Sequence, residues 1–235
     1  RRWTPAQKAL IRDSRVQATR CLAEQCLALE RPPKTLLCAS AIGFYGSCGD
    51  DSLDEASSAG EGFLAEVTRD WEAAAAHAGS TGVTRVVQMR LGMLLAREGG
   101  ALAKMLPLFR LGLGGRLGSG QAYMSWIDLD DACAAMLHLM DRQEISGPVN
   151  FVAPHPVRNL EFTEALARAL HRPAFLPAPA FALRLALGEM ADALLLSSAR
   201  VLPARLTASG FQFRYPVIDE ALRHQLRPDS RRDTP

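Results

Sequence analysis

The amino-acid sequence predicts an α/β protein built on a parallel sheet. Short strand-like runs at Thr35–Ala39, Thr84–Met89 and Val149–Val152 alternate with longer helical stretches, the order of βαβ units. Leu36, Leu37, Cys38 and Ala39 are apolar without alternation, as expected of a strand covered on both faces. Ser40 follows near the carboxyl end of that strand, where open α/β sheets hold their ligands.

Each element has a local reason. Thr4 can cap a helix that Pro5 starts and Gln7 completes as a capping box. Ile11, Val16, Cys21, Leu22, Cys26 and Leu29 continue its apolar stripe until Arg31-Pro32-Pro33 stops it. Residues 47–60, rich in Gly, Ser and Asp, read as a loop. Glu61–His77 reads as a helix, and the Thr84–Met89 strand ends at Arg90-Leu91-Gly92. Gly99–Leu111 reads as helix, Gly112–Gly120 as a Gly-rich loop, and Tyr123–Ile127 as a short strand. Asp128–Asp141 is a helix with acidic residues at its amino end, where the helix dipole favours them. Asn159–Leu170 is amphipathic; Pro-punctuated helices fill 177–209, and a last short helix reaches Leu226.

Composition narrows the classes. The 235 residues suffice for one large domain or a domain with an appendage, and a net charge of +2 gives no general attraction to nucleic acid. Lys8, Lys34 and Lys104 are the only lysines among 27 basic residues. Cys21, Cys26, Cys38, Cys48 and Cys133 lack CxxC spacing and read as free thiols of a reducing compartment. No apolar run has transmembrane length. The first residue is not Met, and the start reads as a cut into a longer protein.

Ser40 and Tyr45 are the first chemical candidates. A hydroxyl pair there can polarise a carbonyl or pass a proton; a polar strand end with a packing aromatic fits the same residues. The loop at 112–120 lacks the GxxxxGK[ST] pattern of a phosphate loop and reads as a lid or as a plain connection. Asp130 and Asp131 fit helix capping better than metal or acid–base work. Glu66 and Glu72 read as solvated charges on a helix surface, and His138 as a packing or surface residue. Arg15, one turn before Thr19, is either an exposed charge or a planar fork for a phosphate or ribose.

Several blocks resemble one family. They include Ser14-Arg15-Val16, Ser40-Ala41-Ile42-Gly43-Phe44-Tyr45-Gly46, Trp71-Glu72-Ala73-Ala74, Arg90-Leu91-Gly92-Met93-Leu94, Met105–Gly115, Ser125-Trp126-Ile127 and Gly210-Phe211 with Phe213. Together they resemble the atypical short-chain dehydrogenase/reductases labelled "epimerase family protein", whose C-terminal segment is a small domain of unknown function. The resemblance implies a Rossmann-like, doubly wound parallel sheet over residues 1–155, with substrate-side insertions at 100–127. It also implies a small α+β substrate lobe over 156–226 and a disordered tail at 227–235. It implies that roughly 60–70 residues carrying the glycine-rich pyrophosphate turn are missing, about one mononucleotide-binding half.

The same resemblance implies binding of NADP, or of NAD, with Arg15, Arg90, Met93 and Leu94 on the cofactor side. Lys104, Gln121 and Tyr123 line the substrate side, and Ser40 and Tyr45 carry the chemistry. The expected activity is hydride transfer to or from a small carbonyl or sugar-like molecule, in the cytoplasm, with no nucleic acid or membrane partner and a homodimer left open. One departure stands out: the helix Gly62–Thr68 has neither the Tyr nor the Lys that the wider superfamily pairs there. Phe44 also competes with Tyr45 for the place facing the cofactor. A cofactor-binding regulatory protein without turnover is therefore the alternative.

Overall fold

The computed structural model describes residues 2–227; the tail expected at 227–235 lies outside them from residue 228 onward. Its centre is a parallel sheet of three strands, β1 (Thr35–Ala41), β3 (Arg85–Leu91) and β7 (Gly147–Phe151), in the order β1-β3-β7. The two-residue strand β2 (Ser52–Leu53) lies between β1 and β3 in the chain. The helices α1 (Pro5–Ala28) and α2 (Phe63–Ala76), with the 3-10 turn His77–Gly79 that follows, cover one face through Ala23, Cys26, Ala75 and Ala78, which pack on Leu36, Cys38 and Val86. The helix α4 (Leu129–Asp141) covers the other through Ala132, Ala135 and Leu139 against Val87, Met89, Val149 and Phe151. The period-two alternation of a strand sorts these residues: even-numbered positions of β1 and β3 face α1–α2, odd-numbered ones face α4.

Thr4 caps α1, its Oγ1 accepting from Gln7 N at 3.2 Å, with Pro5 in the first turn. Beyond Gly92 the chain re-enters as β4 (Met93–Leu95), which pairs in parallel with β6 (Trp126–Asp128). Gly92 lies so close to the Ser125 carbonyl that a Cβ there would sit 2.6 Å from it, and this close approach lets the second strand form. The helix α3 (Gly100–Arg110) follows β4, and β5 (Tyr123–Met124) precedes β6, so Ser125 divides what reads as one strand.

The rest of the chain packs on this body. The strand β8 (Val157–Arg158) pairs antiparallel with β5 and leads into α5 (Asn159–Leu170). Then come α6 (Ala180–Leu187), β9 (Arg200–Val201), α7 (Ala204–Ala208) and α8 (Ile218–Leu226). Leu95, Leu102, Leu106 and Trp126 share one core with Phe162, Leu166 and Leu222, so the segment after residue 155 packs directly on the 100–127 stretch. The Gly-rich loop is stitched down: Asn159 Oδ1 accepts from Leu117 N at 2.7 Å, and Leu117 bridges Ala178. A Cβ on Gly115 would meet the Leu176 carbonyl oxygen at 1.8 Å, which explains a glycine there. Among the described residues no helix is long and apolar enough to cross a membrane.

Candidate active site

Strand register builds the site. Ser40 pairs with Arg90 across β1 and β3, and Arg90 pairs with Asn150 across β3 and β7. One polar row therefore crosses all three strands near their carboxyl ends. Ser40 and Arg90 have the parity of the α2 face, and α2 presents Glu72 to them. Ser40 Oγ donates to Glu72 Oε1 at 2.5 Å. The Arg90 guanidinium grips both Glu72 oxygens, Nε to Oε1 at 2.8 Å and Nη2 to Oε2 at 2.9 Å, a bidentate pair.

A 3-10 turn at Ile42–Tyr45 adds the aromatic members. Arg90 Nη1 donates to the Tyr45 hydroxyl at 2.9 Å, and that hydroxyl donates to Asn150 Oδ1 at 2.7 Å. The Phe44 ring lies 3.4 Å from Arg90 Cζ, a cation–π stack. Asn150 Nδ2 donates to the Leu202 carbonyl and its backbone N–H to Glu55, which ties the row to the C-terminal segment. Gly60 permits this: its N–H bonds the Phe44 carbonyl, and a Cβ there would sit 2.0 Å from the Tyr45 carbonyl oxygen.

The row is dry. Relative exposure is 0 % for Tyr45, 2 % for Ser40 and 3 % for Arg90. Burial pushes the Tyr45 phenol above its ordinary value, against the opposing pull of Arg90 and Asn150. Burial alone would lower Arg90, but its bonds to Glu72 and Tyr45 hold the guanidinium above its ordinary value. At neutral pH the row thus holds a protonated phenol and a charged guanidinium.

The expected site residues fall into separate groups. Ser40, Tyr45 and Arg90 come together, with Arg90 engaged by Glu72 rather than free in a cleft. Arg15 is exposed on α1, with one N–H on the Ile11 carbonyl and its guanidinium 5.6 Å from the Trp71 ring centroid. Met93 and Leu94 are half-buried. Gln121 and Tyr123 come together with Arg158, whose Nη1 donates to the Gln121 carbonyl at 2.7 Å and whose guanidinium lies 4.5 Å from the Tyr123 ring centroid. Lys104 is exposed on α3 and shares no hydrogen bond with them among the described residues.

Three sequence readings are corrected. Glu72 is not a solvated surface charge: its side chain is 12% exposed and is the shared anion of the row, bonded by Ser40 and Arg90. The cap of α4 is Asp128, whose Oδ1 accepts from Asp130 N at 2.8 Å. Asp131 is buried and instead accepts the backbone N–H groups of Arg214 and Tyr215. Asn150 and Glu55 were given no role from the sequence: Asn150 joins the row through strand register, and Glu55 reaches it from a loop, and both depend on the folded arrangement.

Asp128 is fully buried, and that burial raises its carboxyl above the ordinary 3.8, although Gln225 and the Asp130 N–H pull it back. A raised acid binds its proton more tightly in the folded state, so this group favours folding most below pH 3.8, and the favour is lost as pH rises through the folded value. Asp128→Asn keeps the cap acceptor and removes the charge. It should stabilise the fold at pH 7 by on the order of 1 kcal/mol, with the gain shrinking as pH falls toward 3.8. Urea melts of both proteins at two pH values measure this.

Comparison with known proteins agrees with the fold. Residues 178–225 match the family described as "Domain of unknown function (DUF1731)". An epimerase family protein of Mycobacterium leprae is 47% identical over 222 residues, covering 94% of this chain and 71% of the relative. A chloroplastic homologue of the epimerase family protein SDR39U1 in Arabidopsis thaliana is 39% identical over 224 residues, covering 94% of this chain and 64% of that one. The crystal structure of human epimerase family protein SDR39U1 (isoform 2) with NADPH superposes with a TM-score of 0.91 at 34% identity, over 95% of this chain and 76% of that one.

Proposed function

Because the chain belongs to the epimerase family of short-chain dehydrogenase/reductase-like proteins, we propose that it binds NADP(H) and serves hydride transfer on a small carbonyl or sugar-like substrate. The observation that carries this is the similarity to the human protein solved with NADPH. NADP is preferred over NAD on the same ground.

The donor set fits a dinucleotide in part. Arg15 offers an exposed guanidinium for a phosphate or ribose hydroxyl; Met93 and Leu94, neighbours on β4, turn to different cores, so only one of them can face a flat ring. Arg90 does not fit a cofactor contact, since Glu72 and Tyr45 engage it; its role is to position. When bound, the nicotinamide supplies or accepts the hydride. Ser40 is the hydroxyl for the substrate oxygen, and it takes that role by exchanging Glu72 as its partner. Tyr45 holds the transferable proton, now directed at Asn150 Oδ1. The compartment is the cytoplasm, in keeping with five free cysteines; the Arabidopsis relative is described as chloroplastic.

One observation favours a second reading. Tyr45 is fully buried with its hydroxyl satisfied on both sides, the geometry of a strut in a regulatory protein that binds cofactor without turnover. Titration of NADPH fluorescence and a panel of carbonyl substrates separate the two. Catalysis predicts NADPH oxidation, with Ser40→Ala lowering kcat/KM by about 100-fold while NADPH affinity changes little. Binding with no turnover on any substrate selects the regulatory reading, and absence of NADPH binding overturns both.

A further inference from the structure

A second polar cluster stands on the substrate side, separate from the buried row. Tyr123 of β5 has two guanidiniums around its ring, with Arg158 Cζ at 4.5 Å and Arg200 Cζ at 5.2 Å from the centroid. Arg158 comes from β8 and Arg200 from β9, so three elements distant in sequence converge here. The turn after the Tyr45 segment places Asp50 against them. Arg158 holds its carboxylate with two bonds, Nη1 to Oδ1 at 3.2 Å and Nη2 to Oδ2 at 2.9 Å.

One donor of the cluster is left over. Two guanidiniums face one engaged carboxylate, and the Glu161 carboxylate beside them accepts the backbone N–H of Arg158. Among the described residues, Arg200 Nε is buried without a hydrogen-bond partner. A buried donor in that state costs free energy of the order of a lost hydrogen bond, and an incoming acceptor removes the cost. The Asp50 side chain, by contrast, is 68% exposed and sits beside Gly49, which has φ +60° and open space around it. A carboxylate on an exposed turn, gripped by the Arg158 fork with the Arg200 charge close by, has the shape and charge of a group that a ligand oxyanion can replace.

We propose that Arg158, Arg200 and Tyr123 form a seat for an oxyanion of the substrate, a phosphate or a carboxylate group, which Asp50 occupies here and yields on binding. Calling the ligand a substrate rests on the proposed function; the seat itself does not. The backbone supports this placement. Cys48 N donates to the Ser198 carbonyl and Ser198 N donates to Ser47 Oγ, so the turn carrying Asp50 is pinned beside β9, whose Val201 shares a core with Tyr45. The substrate class is therefore anionic, with its charged end at Arg158 and Arg200.

Calorimetric titration of the full chain with pyrophosphate and, separately, with succinate, in low salt and without nicotinamide cofactor, tests the seat. At least one probe should bind. Arg200→Met and Arg158→Met should each weaken it by about tenfold, and Asp50→Ala should tighten it severalfold. The probe that responds tells phosphate from carboxylate. Unchanged binding in Arg200→Met, no binding of either probe, or a loss confined to Arg15→Ala, which would put the probe at the cofactor side, each overturns the proposal. Thermal melts establish that each variant is folded. Because no cofactor is present, failure here leaves the NADPH titration to stand or fall alone.

Discussion

Glu72→Leu should lower the free energy of unfolding by about 3–5 kcal/mol and the thermal midpoint by roughly 10 °C. Glu72 neutralises a guanidinium that is almost fully buried and stacked on Phe44. Without it Arg90 keeps its charge in a dry site, and Ser40 loses its acceptor. The design of the row makes a second expectation. Glu72→Leu combined with Arg90→Met should recover much of the loss, since exchanging a whole buried pair for apolar groups is often neutral. Denaturant melts of the two single variants and the double variant measure the coupling. A Glu72→Leu loss below about 1 kcal/mol would match a surface pair and sink the reading of a buried network.

Trp126→Ala should cost about 3–5 kcal/mol in one cooperative transition. Trp126 is fully buried, its Nε1 donates to the His155 carbonyl at 3.2 Å, and its ring packs in the core that joins Leu95 and Leu102 to Phe162 and Leu222. Truncation opens a cavity between the parallel-sheet body and the C-terminal segment, so both should lose stability together. Calorimetry showing the C-terminal segment melting separately, with the sheet body unaffected, would contradict the shared core.

The two predictions bear on function through the same geometry. Arg90 and Asn150 lie on the sheet and Tyr45 on the turn that follows β1, and Asn150 is tied to Leu202 and, through its N–H, to Glu55. Anything that loosens the C-terminal segment therefore reaches the floor of the candidate active site. The oxyanion seat has the same dependence, because Arg200 lies in β9, which pairs with β2 in the loop that follows Tyr45.

The sequence alone determined the class of fold and the order of its main elements. Thr35–Ala41, Arg85–Leu91 and Gly147–Phe151 are strands where apolar β-branched and aliphatic runs predict them, and Thr4 caps its helix as the capping pattern requires. Hydrophobic period, caps and turn residues act over a few residues, so they can be read locally. Ser40 was legible for the same reason, as a polar residue ending a buried strand. The partners were not. Ser40 meets Glu72 across 32 positions and Tyr45 meets Asn150 across 105, and these meetings depend on strand register and on which helical position faces the sheet. A helix such as α2 presents several plausible acids to solvent by pattern, and only packing against Ser40 and Arg90 turns Glu72 inward. Tertiary structure decided that Asp131 receives the Arg214 and Tyr215 N–H groups, that Met93–Leu95 is a strand, and that Arg158 and Arg200 converge on Tyr123, because each rests on contacts between segments whose approach is fixed by the folded core.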